Sequence, residues 1–179
     1  MKKALKNVEL KLISELMKNS RRSDRELARA IGVSQPTITR LRNNLEKTGI
    51  IKEYTMIPDF SQLGYQLMGA TFFKLAEPRD KEGEGELRKT AVAVEQQNTF
   101  GSLIIVRGLG LNKDRMFITL YKDYADYLRT IGFTKQLANV NVQSMESFLV
   151  DLQDKESYRF LTMSQVARHI LSSEENAKP

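Results

Sequence analysis

The sequence predicts an α+β protein: a helical N-terminal third, then strands and helices in alternation, then one more helix. Three observations carry this. The window from Arg21 to Gly49, RRSDRELARAIGVSQPTITRLRNNLEKTG, holds two helical segments bounded by capping residues. From Leu67 to Leu152, apolar β-branched runs alternate with runs of helical period. The charge is also split, with residues 1–60 holding 13 Lys and Arg against 7 Asp and Glu, and residues 61–179 holding 15 of each. The whole excess of +6 therefore lies in the first third. A chain of 179 residues has room for two domains, and the charge split and the junction from Pro58 to Gly64 favour two. The expected division is a first domain over 1–60, a linker over 61–66, a second domain over 67–153, and a helix and tail over 154–179.

In chain order, Leu5, Val8, Leu12 and Leu16 keep a helical period and predict a supporting first helix. The second helix opens at Ser23, with Glu26 three residues on. At that spacing each side chain satisfies the other's free backbone N–H. Leu27 and Ile31 give it one apolar edge, and Gly32 ends it, since glycine enters the left-handed region without a Cβ penalty. Ser34 caps the third helix. Pro36 falls in its first turn, where a missing N–H costs little, and Gly49 stops it. Beyond it, Ile50, Ile51, Tyr54 and Ile57 favour extended structure until Pro58 interrupts. Three helices and a short strand make a winged helix-turn-helix.

The third helix sorts its residues by face. Ile38, Leu41 and Leu45 form the stripe to be buried. The opposite side carries Pro36, Thr39, Arg40, Asn43 and Lys47, with Gln35 and Thr37 at the exposed N-terminal end. Arginine pairs bidentately with guanine, and glutamine or asparagine with adenine, so this face has the chemistry to read a DNA groove. Phosphate contacts are expected from Arg21, Arg22, Ser34, Arg42 and Lys47, and from Lys52 and Tyr54 on the wing. Packing against the domain is the equal alternative for Tyr54. The charge excess alone suits RNA as well as DNA.

The run ELARAIGVSQPTITRLRNNLEKTGIIKEY, followed by Leu63-Gly64-Tyr65, resembles the leucine-responsive and asparagine-regulator (Lrp/AsnC, feast/famine) family of transcription factors. The matching signals are Leu27-Ala28, Ile31-Gly32, Ser34, Arg40, Leu45-Glu46, Gly49-Ile50-Ile51 and Leu63-Gly64, which together cover roughly the first 65 residues and are specific only in combination. The resemblance implies that the third helix enters the major groove, with base contacts from Gln35, Thr37, Thr39, Arg40 and Asn43. It also implies a double-stranded DNA partner, and a second domain that dimerises and senses a small molecule.

For that domain, a strand is expected from Gly69 and a loop over PRDKEGEGE from Pro78. A helix follows over Leu87 to Gln97, then strands at Leu103 to Val106 and Met116 to Tyr121. A second helix runs from Asp123 to Ile131, and a last strand over Gln143 to Leu152. The order βαββαβ is the ferredoxin-like arrangement. With helices on one face, the other needs a cover. Leu103, Ile105, Phe117 and Thr119 alternate along the central strands, so a homodimer or higher homo-oligomer is expected. The resembled family has a short G-x-x-D turn between its second and third strands, whereas this chain has RGLGLNKDRM. There Arg107, Gly108, Gly110 and Arg115 are candidate contacts for the carboxylate of an amino-acid effector, with a plain hairpin loop as the alternative. Past the last strand, Thr162 and Gln165 have capping-box spacing, and Met163, Val166, Ile170 and Leu171 make the edge of a helix outside the usual family pattern.

The chain has no cysteine, hence no disulfide framework, zinc–thiolate site or thiol nucleophile. His169, the one histidine, reads as a surface or packing residue, and no metal or cofactor is expected. Gly108-Leu-Gly110 lies between two strands rather than at a strand-to-helix turn, which argues against a phosphate loop. Met1-Lys2-Lys3 resembles a signal-peptide start, but Glu9 and Lys11 break any apolar core, and no run approaches a membrane span. The expected location is cytoplasmic. Two alternatives to a DNA-binding regulator remain. A sirohaem-decarboxylase-like enzyme on the same architecture needs histidine motifs that this second domain lacks. A winged-helix protein-interaction module fits poorly with the basic first third.

Overall fold

The computed structural model describes residues 5–77, 80–97, 100–137, 140–156 and 161–175. The chain forms two compact units, one built from the residues up to Pro58 together with the C-terminal helix, the other from Asp59 onward. In the first unit, α1 (Asn7–Lys18), α2 (Asp24–Ile31) and α3 (Gln35–Lys47) enclose Leu12, Leu16, Leu27, Ile38 and Leu45, four of them fully buried. The caps form as the residue types require. Ser23 and Glu26 satisfy each other at the start of α2, with the Ser23 N–H 2.7 Å from Glu26 Oε2, and Gly32 closes α2 at φ +80°. Ser34 Oγ accepts from the Thr37 N–H at the start of α3.

The wing differs from expectation. Among the described residues, 50–58 pair with no other strand. Ile51 packs on the core of the unit, while Ile50, Tyr54, Met56 and Ile57 stay exposed. The segment has β-branched residues enough for a strand but no partner edge within this unit to bond to.

The C-terminal helix (α6 once the second unit's elements are counted, Ser164–Glu175) packs on α1. Ser14 lies about 200° around α1 from Leu12, away from the core stripe. It is nonetheless fully buried, because Ala167 of α6 covers it, and Ser14 Oγ donates to the Ala167 carbonyl at 2.9 Å. Two small residues at the crossing let the helices approach closely. The start of α6 departs from the expected capping box: the helix begins at Ser164, and Thr162 Oγ1 instead accepts from the Ser164 N–H at 3.2 Å.

The second unit opens on a turn in which Gly64 adopts φ +85°, a conformation that favours glycine. Its elements are β1 (Leu67–Leu75), α4 (Lys81–Gln97), β2 (Gly101–Gly110), β3 (Lys113–Tyr121), α5 (Tyr124–Gln136) and β4 (Val142–Asp151). The strands form one antiparallel sheet in the order β2-β3-β1-β4, which is the ferredoxin-like order. The expected loop over PRDKEGEGE is corrected in part. Pro78 lies outside the described residues, but α4 starts at Lys81, where Asp80 Oδ1 accepts from the Gly83 N–H and offsets the low helix propensity of Gly83 and Gly85.

The faces of the sheet correct a second expectation. Phe73 and Phe117, 5.9 Å apart, share a buried cluster with Leu75, Val140, Leu87 of α4 and Ile131 of α5. Ile105 pairs with Phe117, and Thr119 is buried on the same side. These residues therefore face the helices rather than a partner, and Leu103 sits at a shift of register. The uncovered face carries the other parity, in rows such as Ile104, Ile118, Ala70 and Phe148.

Candidate nucleic-acid interface

The helix α3 presents a shallow concavity lined by Gln35, Pro36, Thr39, Arg40, Asn43, Asn44 and Lys47. All seven are exposed, while Ile38, Leu41 and Leu45 on the opposite stripe are buried. Of the residues expected to reach bases, Gln35, Arg40 and Asn43 line this surface and are exposed. Thr37 does not join them, since it is half-buried and its hydroxyl lies 2.8 Å from Ser34 Oγ within the cap. Thr39 joins the surface but its hydroxyl is committed, donating to Asp24 Oδ2 at 2.6 Å. Asn44 lines the same surface and was missed, because it lies one step off the centre of the exposed arc.

Asp24 has a second partner. Its Oδ1 lies 3.0 Å from Arg42 Nη2, which also donates to the Arg22 carbonyl at 3.3 Å. The Arg42 guanidinium then sits over the Tyr54 ring, 5.7 Å from its centroid, and the Tyr54 hydroxyl donates to Glu46 Oε1 at 2.7 Å. Desolvation, with the Glu46 hydrogen bond adding to it, pushes the Tyr54 hydroxyl up to about 12, so it remains a protonated donor at neutral pH. Asp24, Arg42 and Tyr54 thus bracket α2, α3 and the wing together. Arg42 Nη2 and the Tyr54 hydroxyl, both expected at phosphates, are instead engaged within the unit, while the buried Arg42 Nε has no hydrogen-bond partner among the described residues. Arg22 is likewise engaged, in an ion pair with Glu15. Hydrogen bonding from Lys18, with Arg22 nearby, holds the Glu15 carboxyl below its usual range. Arg21, Lys47 and Lys52 are exposed cations, and Ser34 is exposed at the cap of α3.

The residues expected to form an effector loop belong to the β2–β3 hairpin. β2 runs through Gly110 and β3 begins at Lys113, so Arg107 to Arg115 is a hairpin closed by Leu111 and Asn112, at φ +53° and +54°. Positive φ at both central residues is the mark of a tight two-residue hairpin turn. The Arg115 side chain is only 7% exposed and is ion-paired with Glu84 of α4, while Arg107 is exposed with Nη1 3.7 Å from the same carboxylate. Gly108 and Gly110 are exposed on the strand. Gly108 and Leu109 fall at a shift of register between the two strands. Among the described residues no cluster of His, Cys, Asp and Glu could hold a metal, and no helix is long and apolar enough to cross a membrane.

A capped helix-turn-helix with an exposed polar α3, joined in sequence to a ferredoxin-like unit, defines a DNA-binding regulator. Comparison agrees. The family described as winged helix-turn-helix DNA-binding matches residues 5–52. An uncharacterized HTH-type transcriptional regulator of Pyrococcus abyssi is 32% identical over 111 residues, 62% of this chain and 74% of that one. The HTH-type transcriptional regulator LrpC of Bacillus subtilis is 47% identical over 60 residues, 34% of this chain and 42% of that relative. A transcriptional regulator of Neisseria meningitidis, solved in complex with L-Met, shares the fold at TM-score 0.67 and 18% identity, covering 89% of this chain and 96% of that one. The chain belongs to the Lrp/AsnC family of transcription regulators.

Proposed function

We propose that this regulator binds double-stranded operator DNA as a homodimer in the cytoplasm, with α3 in the major groove. Gln35, Arg40 and Asn43 read base edges, while Arg21, Lys47 and Lys52 neutralise phosphates and Ser34 contributes at the cap. The observation that carries the reading is the α3 surface itself, where exposed amide and guanidinium groups sit on a helix held in place by the Asp24–Arg42 bracket. Random-library selection with the purified protein tests it. The expected product is a pair of inverted half-sites one helical turn apart, about 10–10.5 bp centre to centre, or a multiple of it. Recovery of unselected sequence, or of single-stranded or RNA ligands in preference, overturns it.

The dimer reading rests on the uncovered sheet face. Ile104, Ile118, Ala70 and Phe148 form one row across all four strands, and Val106, Met116 and Phe72 continue it. Phe148 is 69% exposed, and among the described residues the helices of this unit pack on the opposite face. An apolar patch spanning a whole sheet marks an interaction site. Ile118→Asp should convert the dimer to monomer by light scattering at micromolar concentration, at unchanged helical content. A wild-type protein that is already monomeric with full DNA affinity overturns this reading. An amino acid is the effector class that the Neisseria meningitidis complex suggests.

A further inference from the structure

We propose that the cleft between the helix layer and the sheet of the second unit binds, within a single protomer, a small apolar monocarboxylic acid that carries no amine. Only its consequence for DNA rests on the regulator reading above. The binding itself does not.

The helix layer stands off the sheet. No described residue of α4 is fully buried: Leu87, Thr90, Ala91 and Val94 on its inner side are half-buried, and α5 buries only Thr130. In the first unit, by contrast, Leu12, Leu27, Ile38 and Leu45 are all sealed from solvent. Protein interiors are ordinarily close-packed, and a void forfeits the contacts its lining would make. Here the space between α4, α5, β2 and β3 amounts to about 510 Å³. That lies in the range of sites that enclose small molecules. Four phenylalanines, Phe73, Phe100, Phe117 and Phe133, line it.

The polar groups divide into two kinds. Inside, Thr130 Oγ1 donates to the Asp126 carbonyl, Thr134 Oγ1 to the Thr130 carbonyl, and Thr119 faces Ser102. Those hydroxyls are engaged within the fold, so the interior suits an apolar body. The charged lining holds Arg88, Arg107 and Arg115 against a single carboxylate, Glu84. Arg115 is taken up by Glu84 and by Asp114, 3.7 Å away. Arg107 is 65% exposed and only at 3.7 Å from Glu84, and Arg88 makes no ion pair among the described residues. The excess donors are guanidinium groups, which pair with a carboxylate. The one carboxylate that an ammonium would need is already bridging arginines. This selects an acid such as an arylalkanoate over the corresponding amino acid.

Calorimetry on the full chain with 3-phenylpropionate, 4-phenylbutyrate and L-phenylalanine is the test. One saturable site per chain is expected for at least one of the acids, with L-phenylalanine about tenfold weaker or more. Arg107→Gln, a change at an exposed side chain, should weaken the acid about tenfold. Ala91→Phe, which fills the cleft, should abolish binding while thermal stability holds or rises. No saturable binding of either acid at millimolar concentration overturns the site. So does binding that survives both variants unchanged, and tighter binding of L-phenylalanine overturns the ligand class. Operator titration of the unliganded protein is scored separately: its failure would sink the DNA reading and leave the calorimetry standing.

Discussion

Leu45→Ala should cost the first unit about 2–5 kcal/mol, the range for truncating a fully buried leucine. Leu45 has no exposed surface and meets Leu12, Leu27 and Ile38, one or more from each of the three helices, so no single helix can shift to refill the space. Against a typical total of about 5–15 kcal/mol, that loss would leave the domain marginal. The same helix offers a control. Lys47→Ala, two residues on and exposed, should change stability by less than about 0.5 kcal/mol. Denaturant melts followed by circular dichroism are the measurement. Because the chain forms two compact units, the transition that moves should account for only part of the signal. A shift below about 1 kcal/mol for Leu45→Ala would contradict the burial of Leu45 among the three helices.

The first unit was readable because its signals are local. Ser23 with Glu26, Gly32, Ser34 and Pro36 each act within one helical turn, and each appears in the structure where its chemistry requires it. The stripe of Ile38, Leu41 and Leu45 needed only the helical period. The role of Arg42 was not readable. Periodicity places it near the exposed arc, but Asp24 lies 18 residues away in sequence, and only the packing of α2 on α3 brings the two together. The same holds for Ser14, which lies off the core stripe of α1 and is covered only by a helix 153 residues later.

The second unit was legible in order and less so in detail. Strand and helix types followed from composition, and the sheet order from the βαββαβ sequence. The start of α4 was obscured by Gly83 and Gly85, which lower propensity but do not forbid a helix once Asp80 caps it. The hairpin was obscured by Gly108 and Gly110, which drew the turn toward the glycines. The tight turn instead uses Leu111 and Asn112. Asparagine tolerates positive φ, whereas leucine there carries no sequence signal. The sheet faces were misassigned for a related reason, since alternation identifies two faces but not which one the helices cover.

Arg40→Ala should weaken binding to the selected operator by about 1–3 kcal/mol, or about 5- to 150-fold, and hardly alter binding to a scrambled duplex. Arg40 stands exposed on α3, away from the Ile38–Leu41–Leu45 stripe, and no ion pair within the described residues engages it. On the proposed reading, its loss removes a base contact without loosening the domain. Asn43→Ala, one turn further along the same surface, should behave alike at a different base position. Lys52→Ala should differ in kind: an exposed cation with no base to read lowers affinity for both duplexes and reduces the salt slope by about 1. Arg42→Ala separates the two effects. Removing it leaves Asp24 without its guanidinium and Tyr54 without its cation, so its DNA defect should come with a lower melting temperature, which Arg40→Ala should not show. Titrations on both duplexes at two salt concentrations, with a melt of each variant, decide the assignment. Equal losses for Arg40→Ala on operator and scrambled DNA would move sequence reading off this face of α3.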